Sequence, residues 1–261
     1  MKCAVAIVAA LAFTGAAVAD ETASGLKLYP TSQGQQTVGA WRAGVGEQDS
    51  QGIARQAVLL ERDAADPGTS AAAQIDGVEG TPIQALVNLA YDYQAGSHCT
   101  ATDPRWALFI RGKSGKRYLV NFGCKVTPAS PGAEPGWIRR TATQPFIRSE
   151  IVVQLRRFGS KIVTDALAGT VDSLALVVDR SVGSVLVDNI AVAAKPRSGF
   201  WTYAGDNGAG TPQGPPVFDD EQIAMLAASV TAEELMTADE VNASLTDEER
   251  SWIQDETYPT G

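Results

Sequence analysis

The stretch that decides the fold runs from Trp106 to Phe122, WALFIRGKSGKRYLVNF. Trp106, Leu108 and Ile110 recur at a period of two, the Gly112-Lys113-Ser114-Gly115 run breaks the pattern, and Tyr118, Val120 and Phe122 resume it. A period of two is the spacing of a half-buried strand, and two such runs around a Gly/Ser turn predict a hairpin. Working outward, Ala85, Val87, Leu89, Tyr91 and Tyr93 share one face of a strand that starts near Ile83. Leu174–Asp179, a turn over Arg180–Gly183 and Val185–Val192 read as a second hairpin. Further strands are expected over 37–42, 53–61, 71–76 and 143–148, and only 149–158 reads as a helix within this body. Many short strands with polar turns and scarcely a helix specify an all-β sandwich.

The chain has 261 residues, a formal net charge of −9, one histidine and three cysteines. An acidic total speaks against a nucleic-acid binder, because phosphate binding is driven by clustered Lys and Arg. One histidine excludes multi-His metal centres. The charge is unevenly spread: 217–261 holds twelve acids against Arg250 alone, so that stretch is at −11 and the 20–216 body near neutral at +1.

Residues 1–19 run from Met1-Lys2-Cys3 through an apolar stretch to Ala17-Val18-Ala19, the pattern of a cleaved export signal. The run is too short and Ala-rich for a membrane anchor, and no second hydrophobic segment follows. The expected product is therefore secreted, extracellular or periplasmic, without a membrane span. In an oxidising compartment Cys99 and Cys124 are expected to be bridged near the open end of the first hairpin. The rival reading makes Cys99 a nucleophile with His98 as its base; neighbours on an extended chain point to opposite faces, which disfavours that pair.

The expected domains are a signal peptide 1–19, a sandwich 20–198, a Gly/Pro-rich linker 199–216 and an acidic tail 217–261. The tail repeats Thr with an acid three residues on at Thr231/Glu234, Thr237/Glu240 and Thr246/Glu249, the capping-box spacing. Short helices are expected around 219–228, 231–243 and 246–255; the alternative is a disordered acidic tail.

The strand ending Leu89-Ala90-Tyr91-Asp92-Tyr93, a cysteine-bearing loop, Pro104-Arg105-Trp106 and the late strand Val185-Leu186-Val187-Asp188-Asn189-Ile190-Ala191-Val192 carry a resemblance. Together they resemble the jelly-roll β-sandwiches of the galactose-binding-like and carbohydrate-binding-module type. The resemblance covers most of 37–194 and rests on short motifs. It implies a jelly roll that binds a polysaccharide or surface glycan without catalysis, and a structural calcium ion with Asp188 among its ligands. The plainer reading of Asp188 is a solvated strand-end carboxylate.

No nucleophile-elbow, zinc-protease, P-loop or dinucleotide motif occurs. Glycan hydrolysis needs two carboxyls about 5–9.5 Å apart across a cleft, and Glu61, Asp92, Asp179 and Asp188 are the acids within the body for that role. Sugar rings stack on exposed aromatic faces, which makes the loop aromatics Trp137, Trp201 and Tyr203 the candidate ligand contacts, with Trp41 and Trp106 in the core. For Trp137 the competing reading is a lid over one end of the sandwich. The Arg139, Arg140, Arg148, Arg156, Arg157 and Lys161 concentration is either a solvated face or a dock for the acidic tail. The second functional reading is accordingly a structural or interaction protein that displays the tail to a protein partner.

Overall fold

The computed structural model describes residues 26–34, 36–48, 55–63, 69–195, 198–201, 218–228 and 243–254. Its strands are β1 (Lys27–Gln33), β2 (Thr37–Ala43), β3 (Gln56–Arg62), β4 (Ser70–Asp76), β5 (Leu86–Gln94), β6 (Arg105–Arg111), β7 (Arg117–Gly123), β8 (Ala129–Pro131), β9 (Trp137–Thr143), β10 (Thr170–Val178), β11 (Gly183–Ala194) and β12 (Ser198–Trp201). Helices α1 (Gln144–Leu155) and α2 (Ser160–Leu167) lie between β9 and β10, joined by a 3-10 turn over Arg156–Phe158. Helices α3 (Asp220–Ala228) and α4 (Asp247–Gln254) follow.

All pairings between the strands are antiparallel, and they build two sheets. A five-stranded sheet has the order β1-β4-β10-β6-β7; the other runs β2-β3-β11-β5-β9-β8, with β12 added beside β11. Leu108, Ile110, Leu174 and Leu176 from the first and Val58, Leu89, Tyr91 and Val187 from the second share one apolar core, so the sheets face each other as a sandwich. Cys99 and Cys124 form a disulfide, with Cα atoms 5.5 Å apart.

The first hairpin forms as the alternation requires, with Trp106 opposite Phe122 and Ile110 opposite Tyr118. The second does not form. β10 belongs to the five-stranded sheet and β11 to the other, so the turn at Arg180–Val182 carries the chain across the sandwich. Each strand has full apolar partners in its own sheet, and alternation alone cannot say which sheet a strand joins. Residues 143–148 are not a strand either: β9 ends at Thr143, and Pro145 starts α1 in the first helical turn, where its missing N–H costs no hydrogen bond. Phe146, Ile147, Ile151, Val152 and Leu155 then point α1 into the core. Helix α2 and strands β1, β8, β9 and β12 are additions to the expected set, and β12 occupies the start of the stretch read as a linker.

The outer face of the five-stranded sheet is also covered. Ala72, Ala107 and Ala175 make a shallow trough there, and Phe218 and Leu226 of the α3 segment fill it, Phe218 stacking on Phe109 at 5.4 Å. Helix α4 rests on α1, where Leu245, Trp252 and Ile253 meet the core. Thr246 and Glu249 close the expected capping box, each backbone N–H bonded to the other's side chain at 2.8 and 3.2 Å. The 231–243 element falls almost wholly outside the described residues, as do the signal 1–19 and Tyr203. No helix among the described residues is long and apolar enough to cross a membrane.

Candidate functional site

Three features gather the chemistry of the described chain: two buried carboxylate clusters and one open cleft. The first cluster sits on the outer face of the larger sheet, because Tyr91, Tyr93 and Val187 take the inner one. Asp188 of β11 lies directly opposite Asp92 of β5, and Asp92 opposite Arg139 of β9. Two like charges facing each other across strands repel, and the structure answers with donors. Arg139 Nη1 donates to Asp92 at 2.9 Å. Asn189, at φ +46°, interrupts the β11–β5 register, a conformation asparagine tolerates better than most residues. Its Nδ2 donates to Asp92 at 2.8 Å and to Glu47.

Glu47 arrives on the 44–48 loop. Gly46 lets that loop lie flat, since a Cβ there would stand 2.2 Å from the Gln56 carbonyl and 2.7 Å from Asp188 Oδ2. The Glu47 N–H donates to Asp188 at 2.8 Å, the Asn189 N–H to the other oxygen of Asp188 at 2.7 Å, and the Glu134 N–H to Glu47 at 2.8 Å. Burial, then a hydrogen bond to Asp92, then the charges of Asp92 and Asp188 push the Glu47 carboxyl up to about 7, against the opposing pull of the Glu134 N–H. Glu47 therefore keeps its proton well above the ordinary carboxylate range.

The donor set around these carboxylates is made of N–H groups. All six oxygens of Glu47, Asp92 and Asp188 already accept an N–H. The Asn189 amide nitrogen stands between two of the carboxylates; turning it over would set its oxygen against both. Among the described residues no group of three or more His, Cys, Asp or Glu is arranged to hold a metal. Asp188, expected as a calcium ligand, anchors the 44–48 loop through the Glu47 N–H.

The second cluster centres on Asp103, which is fully buried. It accepts the N–H of Ser181 at 2.6 Å and of Arg180 at 3.0 Å, and the Ser181 hydroxyl at 2.6 Å. His98 Nε2 stands 2.6 Å from the same hydroxyl. Since the hydroxyl proton goes to Asp103, the imidazole is assigned as donor. A serine nucleophile needs the histidine between serine and acid. Here the serine stands between, so the trio fastens the Arg180–Val182 crossover to β6. Beside it the buried Arg105 pairs with Asp179 at 2.8 Å, while burial raises the Asp179 carboxyl. Cys99, being bridged, is no nucleophile.

The third feature is a cleft of about 390 Å³ between β7, the end of α1, α2 and α3, lined by Leu119, Leu155, Phe158, Ile162 and Met225 with Arg117 and Arg157 at the rim. Phe158 is 60% exposed, and the Arg157 guanidinium lies 4.8 Å from its ring centre.

Of the aromatics expected to meet a ligand, Trp137 is only 8% exposed. It opens β9, and Gly132 lies so close that a Cβ there would come within 2.7 Å of the Trp137 Cβ. Its ring is thus largely covered, beside the turn between β8 and β9. Trp201 ends β12 opposite Ile190. Trp106 is fully buried and Trp41 packs on the core, as expected. The basic concentration splits: Arg139 and Arg140 serve the larger sheet, while Arg148 donates to the Ile253 carbonyl at 2.8 Å and Arg156 to that of Ser244 at 3.0 Å. Sequence reasoning missed Glu47, Asp103, Ser181 and Phe158. Asp92 and Asp188, both singled out in the sequence, and Asn189 in the middle of an apolar strand were the visible signals of the first cluster.

No family model and no curated protein matches the chain. Among solved structures, an exo-β-agarase matches at a TM-score of 0.33 and 14% identity, over 66% of this chain and 24% of that one. The enzymatically active domain of bacteriophage CBA120 tailspike protein 4 matches at 0.30 and 12%, over 69% and 20%. The chain thus spans about a quarter or less of either neighbour, and likeness of this degree does not extend to function.

Proposed function

We propose that the chain is an exported, non-catalytic binding module for a polysaccharide or surface glycan, built as a jelly roll. The observation that supports this reading is the place of the Asp188-Asn189-Ile190 motif: within β11, in the interior of the larger sheet of an antiparallel sandwich. Of the candidate acids, Asp92 and Asp188 accept N–H groups inside that sheet and Asp179 is paired with Arg105, while the Ser181 hydroxyl points its proton into Asp103. Trp201 and Tyr203, following β11, are the ligand contacts in this reading, with Trp137 as a supporting wall.

Retention on insoluble polysaccharides tests the proposal. Trp201→Ala and Tyr203→Ala should each weaken retention several-fold, with little effect of salt, because stacking on neutral sugars is not screened. Absence of retention on every polysaccharide tried would remove the reading. A second reading, an interaction protein, is favoured by a specific observation: Trp106, Trp137 and Tyr91 are all buried, leaving no stacked aromatic pair exposed among the described residues. The parts of the acidic tail that are described lie against the body through Arg117, Arg148, Arg156 and Arg180.

A further inference from the structure

The outer face of the five-stranded sheet carries more polar capacity than its cover uses. Alternation and register lay that face out in rows across β10, β6 and β7: Ser173, Phe109 and Leu119, then Ala175, Ala107 and Asn121, then Val177, Arg105 and Gly123. The α3 segment lies over these rows, with Phe218 and Leu226 in one cluster with Ala107, Phe109, Ala175 and Val177. Three polar side chains on the same face stay unmatched. Arg105, fully buried, gives Nη2 to Asp179 and has no acceptor at Nε or Nη1. Asn121, also fully buried, has no partner at either atom of its carboxamide, and buried Ser173 has none at its hydroxyl. A buried polar group without a partner costs stability. A helix is a poor match for such a face, because it satisfies its own backbone and sets apolar knobs among the polar groups.

The cover is also loosely held. Its apolar contacts form a cluster apart from the main core, so it can lift without opening that core. Arg117 takes Asp219 at 2.8 Å and Glu221 at 2.6 Å, but those acids are 48% and 62% exposed, where water and salt screen the pairing. Lifting α3 would bare the Phe109 ring on a flat floor of alanines, with Arg105, Asn121 and Ser173 spread around it. An aromatic ring takes the apolar face of a sugar, and polar groups dispersed over the floor match hydroxyls on successive rings. Arg105 and Arg117 select carboxylates, the group that Asp219 and Glu221 now supply to Arg117. We infer that this face is a latent site for an acidic oligosaccharide, a uronate chain, and that α3 is the strap that fills it until the ligand displaces it. The inference rests on the glycan-binding reading above, but its surface lies on the other sheet from Trp201.

The test titrates tetragalacturonate into the whole chain by calorimetry. Two variants release the strap: Phe218→Ala/Leu226→Ala, and the milder Asp219→Asn/Glu221→Gln at exposed positions. Both should bind roughly tenfold more tightly than the native chain, since the strap no longer competes, and the affinity should fall several-fold from about 50 to about 500 mM salt. In a released chain Asn121→Leu should weaken binding several-fold while leaving the thermal midpoint unchanged or higher, because the carboxamide has no bond to lose. Trp201→Ala should leave this binding as it is, so failure of that residue to affect retention on neutral polysaccharides counts against the earlier reading alone. No binding of tetragalacturonate by either released chain, binding indifferent to Asn121→Leu, or a native chain that binds as tightly as the released ones would each overturn the inference. A released chain that takes up a synthetic 218–228 peptide but no saccharide would overturn it in favour of a helical protein partner.

Discussion

Two buried carboxylate clusters hold this sandwich together, and they solve the same problem in opposite ways. Around Asp103 one carboxylate receives the Ser181 N–H and hydroxyl and the Arg180 N–H, with buried Arg105 close by on Asp179. Donors outnumber the charge they serve. Around Asp92 and Asp188 three carboxyls share Arg139, one carboxamide and three backbone N–H groups, and the shortfall is met by a proton on Glu47. The lesson concerns location. Asp103 fastens a turn, where successive backbone N–H groups are free to converge. Asp92 and Asp188 sit mid-strand, where the backbone donors are committed to the ladder and only side chains or a covering loop can supply more.

Removing the acid should hurt most where donors converge. Asp103→Ala should destabilise by about 4 kcal/mol, because it leaves buried N–H groups and a hydroxyl without an acceptor; denaturant unfolding measures it, and a loss below about 1 kcal/mol would mean that the crossover is held by its neighbours. The second cluster should show itself through pH. With Glu47 raised from 4.5 to about 7, the folded state holds a proton that the unfolded chain has released, so stability falls as pH rises through this window. The full change is at most about 3 kcal/mol, nearer 2 after solvent screening. Glu150 in α1, which burial also raises to about 7, adds a slope of the same sign. Glu47→Gln, which keeps the shape and the neutral state, should flatten its share of the slope; an unchanged profile would place the titration elsewhere.

Asn189→Ala should cost about 2 kcal/mol, since it withdraws the donor shared by Glu47 and Asp92 and leaves an alanine at positive φ. Its loss should be larger at pH 8 than at pH 5, whereas the Asp103 variant should show no such contrast. Ser181→Ala should cost about 1 kcal/mol, because Asp103 retains the Ser181 and Arg180 N–H groups. A loss as great as that of Asp103→Ala would make the hydroxyl, not the backbone, the anchor.

These clusters also mark where the sequence was legible. Alternation placed the inward residues of β6 and β7 and Leu89, Tyr91 and Tyr93 of β5, and the capping spacing at Thr246/Glu249 foretold its reciprocal bonds, since both signals are local; Val87, expected on the same face, is exposed where the β5–β11 register shifts. The β10–β11 crossover was misread because its cause, Asp103, lies over seventy residues away and carries no periodic mark. Glu47 was invisible for the same reason: nothing nearby announces that its loop will fold over β5 and β11. Phe158, three residues after Leu155, fits a helical stripe; its exposure follows from the Arg156–Phe158 turn, where Gly159 at φ +105° redirects the chain.

The trough of Ala72, Ala107 and Ala175 bears on how the molecule survives its own synthesis. The sandwich strands emerge from the ribosome before Phe218 and Leu226, so this face waits bare while the remaining chain is made. Alanines expose little apolar area, so Phe109 and Val177 are the adhesive part of this face until Phe218 and Leu226 cover it. Larger residues there would give α3 more to grip, but would make the half-made protein stickier at the moment it is least protected.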